Sequence, residues 1–171
     1  TGVGQTPFMT SPVLLDVTDG VATITLNRPD AMNSLDVATK TAKFFKTPTA
    51  FSQPRRGRID DQGRFWFGEY TGDKVGLFDT RTEKFTEYDP GIKWMAPYTA
   101  STPDRNGRVY APSNTSDRVV RVDSKTGEMV IYLMPTRDFD TKQVTIDPVD
   151  KKTLWFANTR NAGIVKLESL D

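Results

Sequence analysis

Glu69, Ser113 and Asn158 stand one repeat apart, and Tyr70, Asn114 and Thr159 follow them in step. Carboxylate, hydroxyl and amide oxygens converging on one point would suit a hard cation such as Mg²⁺ or Ca²⁺, or a small polar ligand. Glu69, Tyr70, Ser113, Asn114 and Asn158 are therefore the candidate ligand-binding residues, and Glu69 is the candidate metal ligand. The alternative is that these side chains hold the loops of their own units. No residue is assigned as catalytic, and the cofactor is unknown. The 171 residues contain no histidine and no cysteine. Ser-His-Asp and Cys-His machinery, thiolate nucleophiles, disulfides and Cys-ligated metals are thereby excluded. Acid–base chemistry would fall to Asp, Glu, Lys or Tyr.

The elements that must position these residues are written twice in the chain. "GRFWFGEYTGDKVGLFDTRTEKFTEY" (Gly63 to Tyr88) returns as "GRVYAPSNTSDRVVRVDSKTGEMVIY" (Gly107 to Tyr132) at an offset of 44 without a gap. A third copy begins at "KKTLWFANTRNAGIVKL" (Lys151 to Leu167). "RFWFGE" has the apolar run of a strand buried on both faces, and "KVGLFD" and "RVVRVD" alternate. "DTRTE" and "DSKTG" read as hairpin turns, and "DDQG" and "DRNG" as turns before each first strand. Asp79 and Asp123 are read as turn residues, bonding backbone N–H groups. Trp66, Tyr110 and Trp155 share one repeat position and are expected to pack between units.

A repeat of this length, made of short strands, predicts a β-propeller blade. The expected fold is all-β: a partial or small propeller of three to four units, completed within one chain or by homodimerisation. A blade cannot bury both faces alone, so open ends invite association. A two-fold ring of two chains and a closed four-unit ring are the two solutions. "VLLDV" (Val13 to Val17) is a candidate strand for the last blade. The domains are read as a leader at 1–8, a hairpin segment acting as a pseudo-blade at 9–45, and blades at 46–171 with units starting near 63, 107 and 152.

The wording "GRFWFGEYTGDKVGLFDTRTEKFTEYDP" resembles a blade of the streptogramin lyase (virginiamycin B lyase)-like propellers, over about Thr47 to Leu167. That resemblance implies the fold. It also implies, as an alternative activity, a Mg²⁺-assisted lyase, although the family's base is a histidine. Residues 9–40, "MTSPVLLDVTDGVATITLNRPDAMNSLDVATK", resemble instead the N-terminus of crotonase-family enoyl-CoA hydratases. That family's oxyanion-hole segment has no counterpart downstream. The chain thus reads as a chimera, joined near Thr39 to Thr41. Its hairpin would turn at Asp19-Gly20, and a helix would start at Asn33 or Ser34.

With a net charge of +1, nucleic acid and anionic membranes are not expected partners. "PRRGR" (Pro54 to Arg58) is read as a solvated turn. No apolar run is long enough for a membrane helix, and "TGVGQTPF" lacks the form of a signal peptide. A soluble protein of unknown localisation is expected. Trp94, near Met95 and Tyr98 in "GIKWMAPYTA", is read either as lining a funnel or as plugging the core between blades. Arg105 and Arg160 are candidate contacts for an anion. The reading that best fits the sequence is a non-catalytic propeller-like scaffold or binding module.

Overall fold

In a computed structural model the backbone of residues 13–18 and 21–26 is described as strand, and residues 43–160 and 162–168 are described in full. The chain divides into two compact units, Thr1–Lys46 and Thr47–Asp171. In the first, β1 (Val13–Thr18) and β2 (Val21–Leu26) pair antiparallel, with Thr18 opposite Val21. Val13 to Val17, read from the sequence as a candidate strand for the last blade, pairs with β2. The Asp19-Gly20 turn, the helix start at Asn33 or Ser34 and the leader at 1–8 lie outside the described residues.

The second unit contains three antiparallel sheets, formed by strands in chain order. Blade one has β3 (Pro54–Ile59), β4 (Arg64–Glu69), β5 (Lys74–Asp79) and β6 (Lys84–Tyr88). Blade two has β7 (Arg108–Pro112), β8 (Arg118–Asp123) and β9 (Met129–Leu133). Blade three has β10 (Thr141–Ile146), β11 (Thr153–Asn158) and β12 (Gly163–Glu168). The fold is all-β and blade-like, as the repeat implies.

Aspartates punctuate the hairpins. Asp79 Oδ1 accepts the N–H groups of Arg81 and Thr82, and Asp123 Oδ1 those of Lys125 and Thr126. One turn earlier, Asp60 accepts from Gln62 N, Arg64 N and the Trp66 indole, at 3.0, 2.9 and 3.0 Å. Asp104 repeats this with Asn106 N, Arg108 N and the Tyr110 hydroxyl. Each aspartate therefore closes a turn and ties down the large aromatic of the strand that follows. Burial acts to raise the Asp60 carboxyl, but these donors and the Arg64 guanidinium outweigh it and hold the group below its ordinary range.

The core lies between blades. Trp66, Val75 and Leu77 of blade one pack with Val109, Ala111, Val120 and Val122 of blade two, with Met95 from the connecting loop among them. The next junction sets Tyr110 and Val119 of blade two against Val144, Leu154 and Phe156 of blade three, with Phe139 from the loop. Strand alternation explains the sorting: one face of each sheet looks back along the stack and the other looks forward. Trp66 and Tyr110 are 0% and 1% exposed. Trp155, at the same repeat position, is 38% exposed. It does not pack between blades, because it belongs to the forward face of the third sheet and no described blade covers that face. Ile164, on the same face, is 73% exposed.

"PRRGR" is strand, not turn. β3 lies at the edge of blade one, and Arg56 forms a parallel bridge with Thr99 of the segment leading into blade two. Arg56 N donates to Tyr98 O at 3.1 Å. The first strands of neighbouring blades thus converge, which makes theirs the inner edge of the stack. Gly68 allows this close approach: a Cβ there would stand 2.3 Å from the Pro97 carbonyl oxygen.

Candidate functional site

Glu69, Ser113 and Asn158 occupy equivalent places, each at or just beyond the end of the strand that carries its blade's large aromatic. In blades one and three that strand is the second of the sheet, since β3 and β10 precede it. Glu69 and Asn158 thus end second strands, whereas Ser113 follows β7, the first strand of its sheet. All three are buried.

Two of the three hold loops. The Ser113 hydroxyl donates to the Met95 carbonyl at 2.6 Å, pairs with Ser116 Oγ and accepts the N–H groups of Thr115 and Ser116. Asn158 Oδ1 accepts from Asp140 N and Arg160 N. Asn114 N donates to Met95 O, while its buried Oδ1 has no hydrogen-bond partner. Tyr70 meets Tyr98 edge-on, and the Arg55 guanidinium lies 4.6 Å from its ring centre. Arg160 pairs with Asp138 and Asp140 of its own blade, and exposed Arg105 donates its N–H to Lys151 O.

Glu69 differs from its counterparts. It is 0% exposed, and neither carboxylate oxygen has a hydrogen-bond partner. Ser52, Gly72, Lys74 and Glu87 surround it. Burial, reinforced by the charge of Glu87, pushes its carboxyl up to about 7. Glu87 itself is fully engaged: Thr49 N and Oγ1 donate to it at 2.8 and 2.7 Å, and Lys74 Nζ at 2.9 Å. Burial acts to raise the Glu87 carboxyl, yet these donors hold it below its ordinary range.

This donor set does not fit a divalent cation. A hard cation takes six to eight oxygens, usually several of them anionic. Here Glu87 is already neutralised by Lys74, whose ammonium would repel a second cation. Among the described residues no cluster of three or more His, Cys, Asp or Glu side chains could hold a metal. The arrangement offers one buried carboxyl with a high proton affinity.

Trp94 does not plug the core between blades. Met95 takes the buried place at 0% exposure, while Trp94 is 81% exposed at φ 60°. Its N–H and that of Ala96 donate to Asp73 at 2.8 and 2.9 Å. Beside it opens a cavity of about 610 Å³ lined by Tyr70, Thr71, Asp73, Lys93, Trp94, Ala96 and Thr115. Of these only Tyr70 was singled out from the sequence as a ligand-binding residue. The aromatic and small residues in "GIKWMAPYTA" were the available signal, but the backbone conformation that displays Trp94 has no local signature.

No family model and no curated protein matches the chain. Among solved structures it is similar to virginiamycin B lyase from Staphylococcus aureus, at 19% identity and a TM-score of 0.66, over 97% of this chain and 58% of that one. A streptogramin B lyase gives 20% identity and a TM-score of 0.67, over 93% and 55%. A chain of a nidogen/laminin complex gives 11% and 0.61, over 90% and 52%. The chain thus spans little more than half the length of these structures. No described helix is long and apolar enough to cross a membrane. What the likeness shows is the fold: three blade-like antiparallel sheets arranged as in part of a β-propeller such as that of the streptogramin B lyases.

Proposed function

We propose that the chain is a non-catalytic binding scaffold that self-associates to cover the open end of its blade stack. One observation carries this reading. The forward faces of blades one and two, bearing Trp66 and Tyr110, are covered by the next blade, whereas the equivalent face of blade three leaves Trp155 and Ile164 in solvent. A second copy is the occupant that supplies a propeller blade to that face, and a two-fold ring covers both copies at once. Glu69, Tyr70, Ser113, Asn114 and Asn158 would then lie near the rim of a shared funnel and take a small polar ligand. Nucleic acid and membranes remain outside this reading, in keeping with the net charge of +1.

Size-exclusion chromatography with light scattering tests it. At tens of micromolar the mass should be twice the 19.2 kDa of one chain, and Trp155→Glu with Ile164→Glu should return the single-chain mass. A monomer at every concentration, or a dimer untouched by both substitutions, would reject the proposal.

A second reading, elimination of the streptogramin lyase type with Glu69 as base, is favoured by the carboxyl held near pH 7. The donor set around Glu69 argues against the metal that the family resemblance implies. Turnover of a type B streptogramin that vanishes in Glu69→Gln would establish this reading in place of the first. The chimera is also part of our reading: a crotonase-like segment joined to propeller blades. Its support is the wording of residues 9–40 and the β1–β2 pairing. Saturable binding of a CoA thioester to the full chain would give that segment a ligand, and absence of binding would leave it a structural hairpin.

A further inference from the structure

Three loops enter the blades in the same repeat phase, and each holds a non-glycine residue in the left-handed region at the same position: Phe51 at φ 56°, Trp94 at 60° and Asp138 at 58°, with Gln53 and Ala96, both at 46°, adding a second in the first two loops. For a bulky side chain this conformation is unfavourable and persists only where the surroundings impose it. In the first two loops a threonine hydroxyl braces the left-handed residue itself, and in the third it bonds two residues further on. Thr71 donates its hydroxyl to the Phe51 carbonyl and Thr115 to the Trp94 carbonyl, while Thr159 donates to Asp140 O. Asp73 adds two backbone bonds to the Trp94 loop. The fold makes little use of the side chains so displayed. Phe51 is 94% exposed and Trp94 81%.

The cavity of about 610 Å³ beside Trp94 gives this display a use. Trp94 and Tyr70 supply aromatic surface on its lining, with Ala96 between polar neighbours. Lys93 is exposed at the edge. Both Asp73 oxygens are engaged by backbone N–H groups, so that carboxylate is not directed at a ligand. Arg55 brings a second cation to Tyr70 and also lies 5.2 Å from the Tyr98 ring centre. Flat aromatic walls with the Lys93 cation on the lining are complementary to a ring bearing a negative charge.

We propose that the cleft between Trp94 and Tyr70 binds a planar aromatic carboxylate, its ring against the two aromatic side chains and its anion at Lys93. The proposal does not depend on self-association, because every lining residue belongs to one chain.

The test is a titration of the full chain with 2-naphthoate, followed through the indole N–H resonances of the three tryptophans. The Trp94 signal should shift saturably, while buried Trp66 stays put. Trp94→Ala should weaken binding about tenfold, and Lys93→Gln about threefold. The neutral 2-naphthamide should bind more weakly by the same margin as the Lys93→Gln loss. Both substitutions are at exposed positions, and circular dichroism would check that the fold is retained. Three outcomes would overturn the proposal: no saturation in the millimolar range, equal affinity for acid and amide, or an equal shift at Trp155, which would mark general adhesion to exposed indoles.

Discussion

Glu69 is the residue most at odds with its surroundings, and its protonation is linked to stability. An unfolded glutamate releases its proton near its ordinary value of 4.5, whereas in the fold the group holds it to about 7. A carboxyl with a raised folded-state value stabilises the fold when protonated, so that contribution is lost as pH climbs from about 4.5 to about 7. The loss is on the order of 3 kcal/mol. Glu69→Gln keeps the shape and removes the titration. Its melting temperature should exceed that of the parent by about 5–10 °C at pH 8, with the two nearly equal at pH 4. Thermal melts at both pH values decide it, and a pH-independent difference would remove Glu69 as the cause. The place of Glu69 was legible from the repeat, since it aligns with Ser113 and Asn158. Its isolation was not, because only the fold reveals that Ser113 and Asn158 find loop partners while Glu69 finds none.

At the level of elements, β4, β5 and β8 fall where the sequence places them. Glycine and aspartate mark the turns between them, and the Asp60 and Asp104 hydrogen bonds show why that punctuation works. β3 escaped notice for a physical reason. Its residues are "PRRGRI", without apolar alternation, because it lies on the inner edge, where Arg55 gains aromatic faces instead of a hydrophobic layer. Trp155 misled in the opposite way. Its repeat position implies burial, yet burial depends on the next sheet and not on the strand that carries the residue. The pair of tryptophans makes this measurable. Trp66→Ala should cost about 3–5 kcal/mol in denaturant unfolding, and Trp155→Ala in a monomeric sample should cost less than about 1 kcal/mol. Similar losses at the two sites would mean that the third sheet's forward face is covered. Gly68→Ala should destabilise without any change in burial, since the added methyl meets the Pro97 carbonyl. A neutral outcome in the same unfolding assay would show that the approach of the Pro97 carbonyl is not tight.

At the scale of the molecule, the described sheets of the second unit pack against their neighbours in the stack, so stability there is a sum over junctions. The repeat made that organisation legible from the sequence. The openness of the last face was not, since each copy of the motif looks equally complete when read alone. Native-state hydrogen exchange should therefore show a gradient in a monomeric sample: fastest at β12, slower in β8, slowest where β4 and β5 meet β7. Uniform protection across the three sheets would mean that they open as one unit.

Blade two sets Val109, Ala111, Val120 and Val122 toward blade one and Tyr110 and Val119 toward blade three, and this two-sided packing has an evolutionary consequence. Blade two receives a tryptophan-bearing face from blade one and presents a tyrosine-bearing face to blade three, so its two sides match the ends of any similar unit. Duplication or loss of a whole repeat would leave every surviving junction with a compatible partner and merely move the uncovered face along the chain. Gains and losses in steps of one repeat, in related genes, are the variation this architecture tolerates most easily, while a break within a repeat would leave two unmatched surfaces.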